Sequence, residues 1–226
     1  MVPMLYLVPT PIGNLEDITF RAIRILREST FILAEDTRTS KKLLDYHGIS
    51  TPLRPFHAFN EHHVTDHLVR ELAGGISVSL ISDAGTPGIS DPGFLLVRAC
   101  VRANIEVTCL PGATALIPAL AASGLPTDSF HYEGFLPHKK GRQTRLKYIA
   151  ELPETSVIYE SPHRLVKLID ELCLIVGPDR HACVCRELSK LHETYHRGTI
   201  LELQTYFKDH PDQIRGEIVF LLAGKA

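Results

Sequence analysis

Short apolar runs punctuate the chain at residues 4–8, 31–34, 76–81, 105–110, 130–135, 156–159, 182–186 and 218–223. Their length and their branched and aromatic side chains predict β-strands. Helix-like stretches lie between most of them. Ile18, Ala22, Ile23, Ile25 and Leu26 form a near-helical apolar stripe behind a cap candidate, Asp17. Asn60 opens a stretch that runs to Ala73 and closes on Gly74-Gly75. Asp91-Pro92 and Ser161-Pro162 both carry the cap-plus-proline signature of a helix start, the second leading through Leu165, Leu168, Ile169 and Leu172. Such alternation predicts an α/β fold with largely parallel pairing. Pro118, Gly124 and Pro126 interrupt it, which places a domain boundary between residues 1–117 and 118–226. Beyond that boundary, strand-like residues 195–198 and 217–223 flank a single helix-like segment, so antiparallel pairing is expected there.

At 226 residues the chain has room for two compact lobes, each with its own core. Its 24 basic and 26 acidic side chains leave a net charge of −2. That balance excludes a chain that is basic throughout and an acidic disordered tail. The most apolar long window, residues 110–122, contains Pro111 and Pro118 and is too short for a bilayer, so no membrane span is expected. The first residues lack the basic start of a signal peptide, and the five cysteines include no CxxC pair. Both features predict a cytoplasmic protein with reduced core thiols. His63 and His67 have helical ligand spacing but no third ligand, and no metal site is expected.

Candidate chemistry concentrates where strands end. Val8-Pro9-Thr10-Pro11-Ile12-Gly13-Asn14-Leu15 follows the first strand. It is neither a GxGxxG fingerprint nor a P-loop, which counts against a dinucleotide oxidoreductase. Ser82-Asp83-Ala84-Gly85-Thr86-Pro87-Gly88-Ile89-Ser90-Asp91-Pro92-Gly93 is a rigid glycine- and proline-rich loop, with Asp83 placed to meet ribose hydroxyls or a cation. Leu110-Pro111-Gly112-Ala113-Thr114-Ala115 leaves room for a flat ring. Three such loops at strand ends predict one nucleotide-like pocket.

Two further stretches carry charge. Lys139, Lys140, Arg142 and Arg145 form a basic cluster with no acid between them, suited to phosphate contact, and Arg38 belongs to a smaller patch. In Tyr159-Glu160-Ser161-Pro162-His163-Arg164, Glu160 and His163 are acid–base candidates and Arg164 a phosphate ligand. Glu187 and Lys190 repeat that mixture after a later strand.

Taken in order, these motifs, together with Ala34-Glu35-Asp36-Thr37-Arg38 and Arg186-Glu187-Leu188, resemble the tetrapyrrole-methylase-like superfamily of S-adenosylmethionine-dependent methyltransferases. Pro9-Thr10-Pro11 stands where porphyrinoid-modifying members carry a glycine-rich loop, so the resemblance is to the ribosomal RNA branch. It implies two α/β domains of the tetrapyrrole methylase type with the cofactor cleft between them, and a homodimer. It also implies S-adenosyl-L-methionine as cofactor and the small ribosomal subunit as partner. The activity implied is methyl transfer to the ribose 2′-hydroxyl of a cytidine in 16S rRNA near the decoding centre. The cofactor site it implies comprises Pro11, Ile12, Asp83, Gly85, Thr86, Ala113, Thr114, Phe135, Gly216 and Glu217. RNA contacts are expected from Arg38, Lys139, Lys140, Arg142, Arg145 and Arg164. The general base is left open among Glu160, His163, Glu187 and Lys190. A small-tetrapyrrole methyltransferase and a non-catalytic RNA-binding protein are the rivals.

Overall fold

The computed structural model describes residues 4–225. The chain divides into two compact units, the first ending at Thr114 and the second beginning at Ala115. The division falls slightly ahead of the expected boundary, so Pro118 sits inside the first helix of the second unit rather than at a junction.

In the first unit, strands β1 (Met4–Leu7), β2 (Phe31–Ala34), β3 (Leu53–Pro55), β4 (Ser77–Ile81) and β5 (Glu106–Cys109) form one sheet in the order β3-β2-β4-β1-β5. Every pair in it is parallel. A parallel sheet is covered on both faces, and β2 shows why its sequence is uniformly apolar. Phe31 and Leu33 pack with Leu68, Leu72, Leu96 and Cys100, while Ile32 and Ala34 pack on the opposite face with Ala22, Ile25, Leu26 and Leu44. Helices α1 (Phe20–Glu28) and α2 (Thr37–Tyr46) therefore lie on one side, and α3 (Glu61–Ala73) and α4 (Phe94–Arg102) on the other.

Two helix starts differ from expectation. Asp17 lies in a short 3₁₀ turn capped by Asn14, and α1 is capped by Thr19, whose hydroxyl accepts from the Ala22 amide at 3.0 Å. Asp91-Pro92 does not open α4. The helix begins after Gly93, whose φ of 139° is open only to glycine. A Cβ there would lie 2.9 Å from Leu80 Cδ2 and 3.4 Å from the Gly88 backbone, so the loop after β4 folds back against its own strand.

The second unit starts with α5 (Leu116–Ala122) and builds a mixed sheet in the order β6-β7-β10-β8-β9. Its strands are β6 (Phe130–Phe135), β7 (Thr155–Glu160), β8 (His181–Arg186), β9 (Thr194–Thr199) and β10 (Ile218–Leu222). Only β6 and β7 pair in parallel; β10 runs antiparallel to β7 and β8, and β8 to β9. Helices α6 (Arg142–Glu151), α7 (Pro162–Val176) and α8 (Ile200–Asp209) cover one face through Leu146, Leu168, Leu172, Leu203 and Phe207.

At the start of α6 the structure departs from the sequence reading. Arg142, expected on RNA phosphates, is 3% exposed. Its Nε donates to Glu171 Oε2 at 2.8 Å and its terminal nitrogens to Glu160 Oε2 at 3.3 Å. Glu160, a general-base candidate, is equally enclosed; its Oε1 accepts from Arg164 Nε and from the Ser161 amide, both at 2.8 Å. The group is an ion network joining α6, β7 and α7, with Arg142 and Glu160 buried at its centre and Glu171 and Arg164 at its margin. Removing one member strands the others in a poor solvent. Arg142→Ala is therefore expected to lower unfolding free energy by about 3 kcal/mol, and Lys140→Ala by no more than about 0.5 kcal/mol. Urea unfolding of both variants checks this, and equal stability of the two would contradict the network's role.

Candidate active site

Because all strands of the first sheet are parallel, the segments leaving them gather at one edge. Three of these segments are tied together. The amide of Thr10 donates to the carbonyl of Gly85 at 2.9 Å, and the amide of Gly85 donates back to Thr10 at 2.9 Å. Thr10 is 2% exposed, and its hydroxyl also donates to the Ser82 carbonyl at 3.1 Å. The loop after β4 reaches the loop after β5 through Thr86 Oγ1, which donates to the Ala113 carbonyl at 3.3 Å. The ring closes sterically. A Cβ on Gly112 would lie 2.7 Å from Pro9 Cβ, so only glycine lets the first and third loops lie in contact. Gly85, at a φ of 77°, would bring a Cβ to 3.7 Å from Ile12 Cγ2. Ile12, Gly85, Thr86 and Ala113 are thus parts of one floor, and Pro11 and Thr114 are their neighbours along the chain.

Carboxylates rim this floor. Asp83 Oδ1 accepts the Asp36 amide at 3.0 Å, joining the ends of β4 and β2. Burial, reinforced by Asp83, pushes the Glu35 carboxyl up, with His57 acting in the opposite sense. Burial and then Glu35 push Asp91 up to about 6, despite a hydrogen bond from Ser82. Sequence reasoning missed Glu35 and Asp91 as site residues, because only folding sets them beside Asp83. The loop after β3 is drawn to the same edge, where Glu61 Oε2 accepts the Gly93 amide at 3.4 Å.

In the second unit the expected site residues also collect at one sheet edge. A bulge at Glu133 re-aims the end of β6, leaving Phe135 57% exposed with its ring 5.5 Å from that of Tyr159. Glu160 ends β7 and is paired with Ile218 at the start of β10, directly after Gly216-Glu217. Glu187 follows β8 at a φ of 53°. Its Oε1 accepts from the Glu217 amide at 2.8 Å and from Lys190 Nζ at 2.9 Å, and a Cβ on Gly216 would fall 2.3 Å from its Cδ. Burial alone would raise Glu187, but the Glu217 amide and Lys190 outweigh it and hold the carboxyl below its usual range. Burial likewise disfavours the Lys190 ammonium, yet Glu187 and Glu217 raise its pKa. Neither is poised to accept a proton near neutrality. His163 is exposed at the start of α7.

The basic residues do not act as one cluster. Lys139 and Lys140 are exposed. Arg145 donates to Glu133 Oε1 at 2.8 Å and lies over the Tyr148 ring, and Arg164 binds Glu160 and contacts His138. Arg38 is 89% exposed but forks onto Asp36 through its side chain, which holds the Asp36 carboxyl down at about 2.

A family model described as Tetrapyrrole (Corrin/Porphyrin) Methylases matches residues 4–204. The chain belongs to that family of S-adenosyl-L-methionine-dependent methyltransferases. It is 48% identical over 223 residues to ribosomal RNA small subunit methyltransferase I of Xylella fastidiosa, covering 98% of this chain and 82% of that protein. The protein of the same name from Pseudomonas aeruginosa is 48% identical over 97% of this chain and 78% of its own length. Uroporphyrin-III-C-methyltransferase from Thermus thermophilus superposes with a TM-score of 0.66 at 20% identity, over 98% of this chain and 94% of that one. Cobalt precorrin-4 methyltransferase, a cobalamin biosynthetic enzyme, gives 0.66 at 17% over 97% and 94%. These two likenesses bear on the fold alone. Among the described residues, no helix is long and apolar enough to cross a membrane.

The first-unit edge fits the family's methyl donor. A floor of glycine, alanine and threonine admits a flat base, and the rim of Asp83, Glu35 and Asp91 suits ribose hydroxyls and a cationic sulfonium. The same carboxylates would repel a pyrophosphate, which disfavours a dinucleotide at this edge. The raised carboxyls carry a stability signature. A carboxyl whose folded pKa lies above its unfolded value adds stability below about 4 and loses it as pH rises through about 6. Asp91→Asn is expected to flatten that part of the stability–pH curve. At pH 7.5 it should gain on the order of 1 kcal/mol, after discounting for the residue's partial exposure. Urea unfolding at pH 5 and 7.5 measures this; an unchanged slope with no gain at pH 7.5 would contradict it.

Proposed function

We propose that this chain methylates small-subunit ribosomal RNA, moving the methyl group of S-adenosyl-L-methionine to the ribose 2′-oxygen of a cytidine in 16S rRNA near the decoding centre. We take it to work in the cytoplasm as a homodimer. One observation carries the reading: 48% identity over nearly the whole chain to relatives named as methyltransferases of small-subunit ribosomal RNA, in a chain whose own strand-end loops form a floor suited to the donor. The porphyrinoid enzymes share the fold at 20% identity or less, which supports no substrate.

S-adenosyl-L-methionine supplies a methyl group already activated on a sulfonium. What is left to the protein is to hold the target hydroxyl in line, exclude water and take up its proton. Pro11, Ile12, Gly85, Thr86, Ala113 and Thr114 form the donor's floor, and Asp83 faces its ribose. Asp91, half-buried at the same rim and shifted towards neutrality, is the group suited to accept the hydroxyl proton. Glu160 is committed to Arg142 and Arg164, while Glu187 and Lys190 are locked onto each other.

The test is methyl transfer from labelled donor to purified small subunits lacking the modification, followed by nuclease digestion and mass spectrometry. One methyl group per subunit on a cytidine ribose is expected. Transfer to a base, or no transfer to subunits, would overturn the reading.

A further inference from the structure

Once Arg142, Arg145 and Arg164 are seen bound to carboxylates, most of the expected phosphate-binding charge is already neutralised. Unspent positive charge lies elsewhere. A groove of about 640 Å³ runs between α3 and α4 in the first unit, and Arg70, Arg98 and Arg102 line it together with the apolar stems of Val69 and Leu95. All three arginines are exposed, and none appears in an ion pair among the described residues. Asp66 is the single carboxylate in the lining.

Helix dipoles account for part of this. Arg70 and Arg102 occupy the last turns of α3 and α4, where a cation is favoured. They do not account for Arg98, which sits mid-helix with its guanidinium 5.0 Å from the centroid of the Phe94 ring. Phe94 is itself 62% exposed. Three arginines lining one groove repel one another unless an anion joins them, and an arginine laid over an exposed aromatic ring offers a flat surface for a base. Both helices begin at the edge that carries the donor loops, since the Gly93 amide at the start of α4 binds Glu61 at the start of α3. The groove therefore leads away from the proposed site of methyl transfer along the outside of the same unit.

We infer that the α3–α4 groove is an RNA-binding track, in which Arg70, Arg98 and Arg102 hold the phosphodiester backbone of RNA that leads away from the target nucleotide. The inference rests on the proposed RNA methyltransferase function and names the surface that grips the substrate. It also explains how a chain of net charge −2 binds a polyanion: charge is confined to one groove instead of spread over the surface.

The test uses the full-length protein and purified, unmodified small ribosomal subunits. Methyl transfer is measured across a salt series for the wild type, for the double variant Arg98→Ala/Arg102→Ala, and for Asp66→Asn. The double variant should raise KM for subunits about tenfold, with kcat and donor binding little changed. It should also lower the slope of log affinity against log salt by roughly 1 to 2. Asp66→Asn should shift KM the opposite way, about twofold to threefold lower, a gain that misfolding cannot mimic. If the wild type methylates subunits and neither variant changes KM or slope, the groove assignment fails and the proposed function stands. An unchanged KM with an altered sedimentation coefficient in the double variant would give the groove to a second copy of the chain, and also overturns the assignment. Failure of the wild type to methylate subunits would remove the proposed function, and this inference with it.

Discussion

The paired hydrogen bonds between Thr10 and Gly85 are the constraint on which the first unit's function depends. They occur outside any strand, between two loops that leave different strands of a parallel sheet. Together with the bond from the Thr10 hydroxyl to the Ser82 carbonyl they tie the loop after β1 to the loop after β4, which a ligand would otherwise have to order. With them, and with Gly112 allowing Pro9 to lie against the third loop, the floor is built before anything binds. Small residues at these positions serve close backbone approach, and the carboxylates above them set the charge of the site.

That rim is costly to the fold. Burial raises the proton affinity of Glu35 and Asp91; Asp83 raises that of Glu35 further, and Glu35 and Asp83 raise that of Asp91. Like charges gathered at a half-buried rim cost free energy, which His57 offsets in part at Glu35. Under the proposed function, a bound sulfonium would offset more of that cost, so the rim would favour a cationic donor. The second unit follows the opposite logic. Its buried charges, Arg142 with Glu160 and Glu171, are matched, and they brace β7 against α6 and α7 at the end where Phe135 and Tyr159 stand.

Much of this was legible in the sequence. The apolar runs marked all but one of the longer strands, most plainly β2 and β10, which are buried along their whole length and uniformly apolar. β3 escaped notice: it is three residues long, lies at the sheet edge and ends in Pro55. The three loops were visible because glycine and proline mark backbone geometry directly. What stayed hidden depends on contacts distant along the chain. Arg142 reads as part of a basic run, but its partners lie 18 and 29 positions away. Arg70, Arg98 and Arg102 never look like a cluster in one dimension and meet only because α3 packs on α4. The start of α4 was misread because Asp91-Pro92 obeys the capping rule, whereas the unusual φ of Gly93 reflects packing on Leu80 and Gly88.

Donor binding in the proposed function depends on the three-loop floor. The most direct test of that dependence is a calorimetric titration of S-adenosyl-L-methionine into the wild type and into Gly112→Ala, whose added methyl group must push Pro9 away. Saturable binding is expected for the wild type and at least about tenfold weaker binding for the variant, a loss near 1.4 kcal/mol, with the variant still folded by circular dichroism. Equal affinities, or no binding to the wild type, would contradict it.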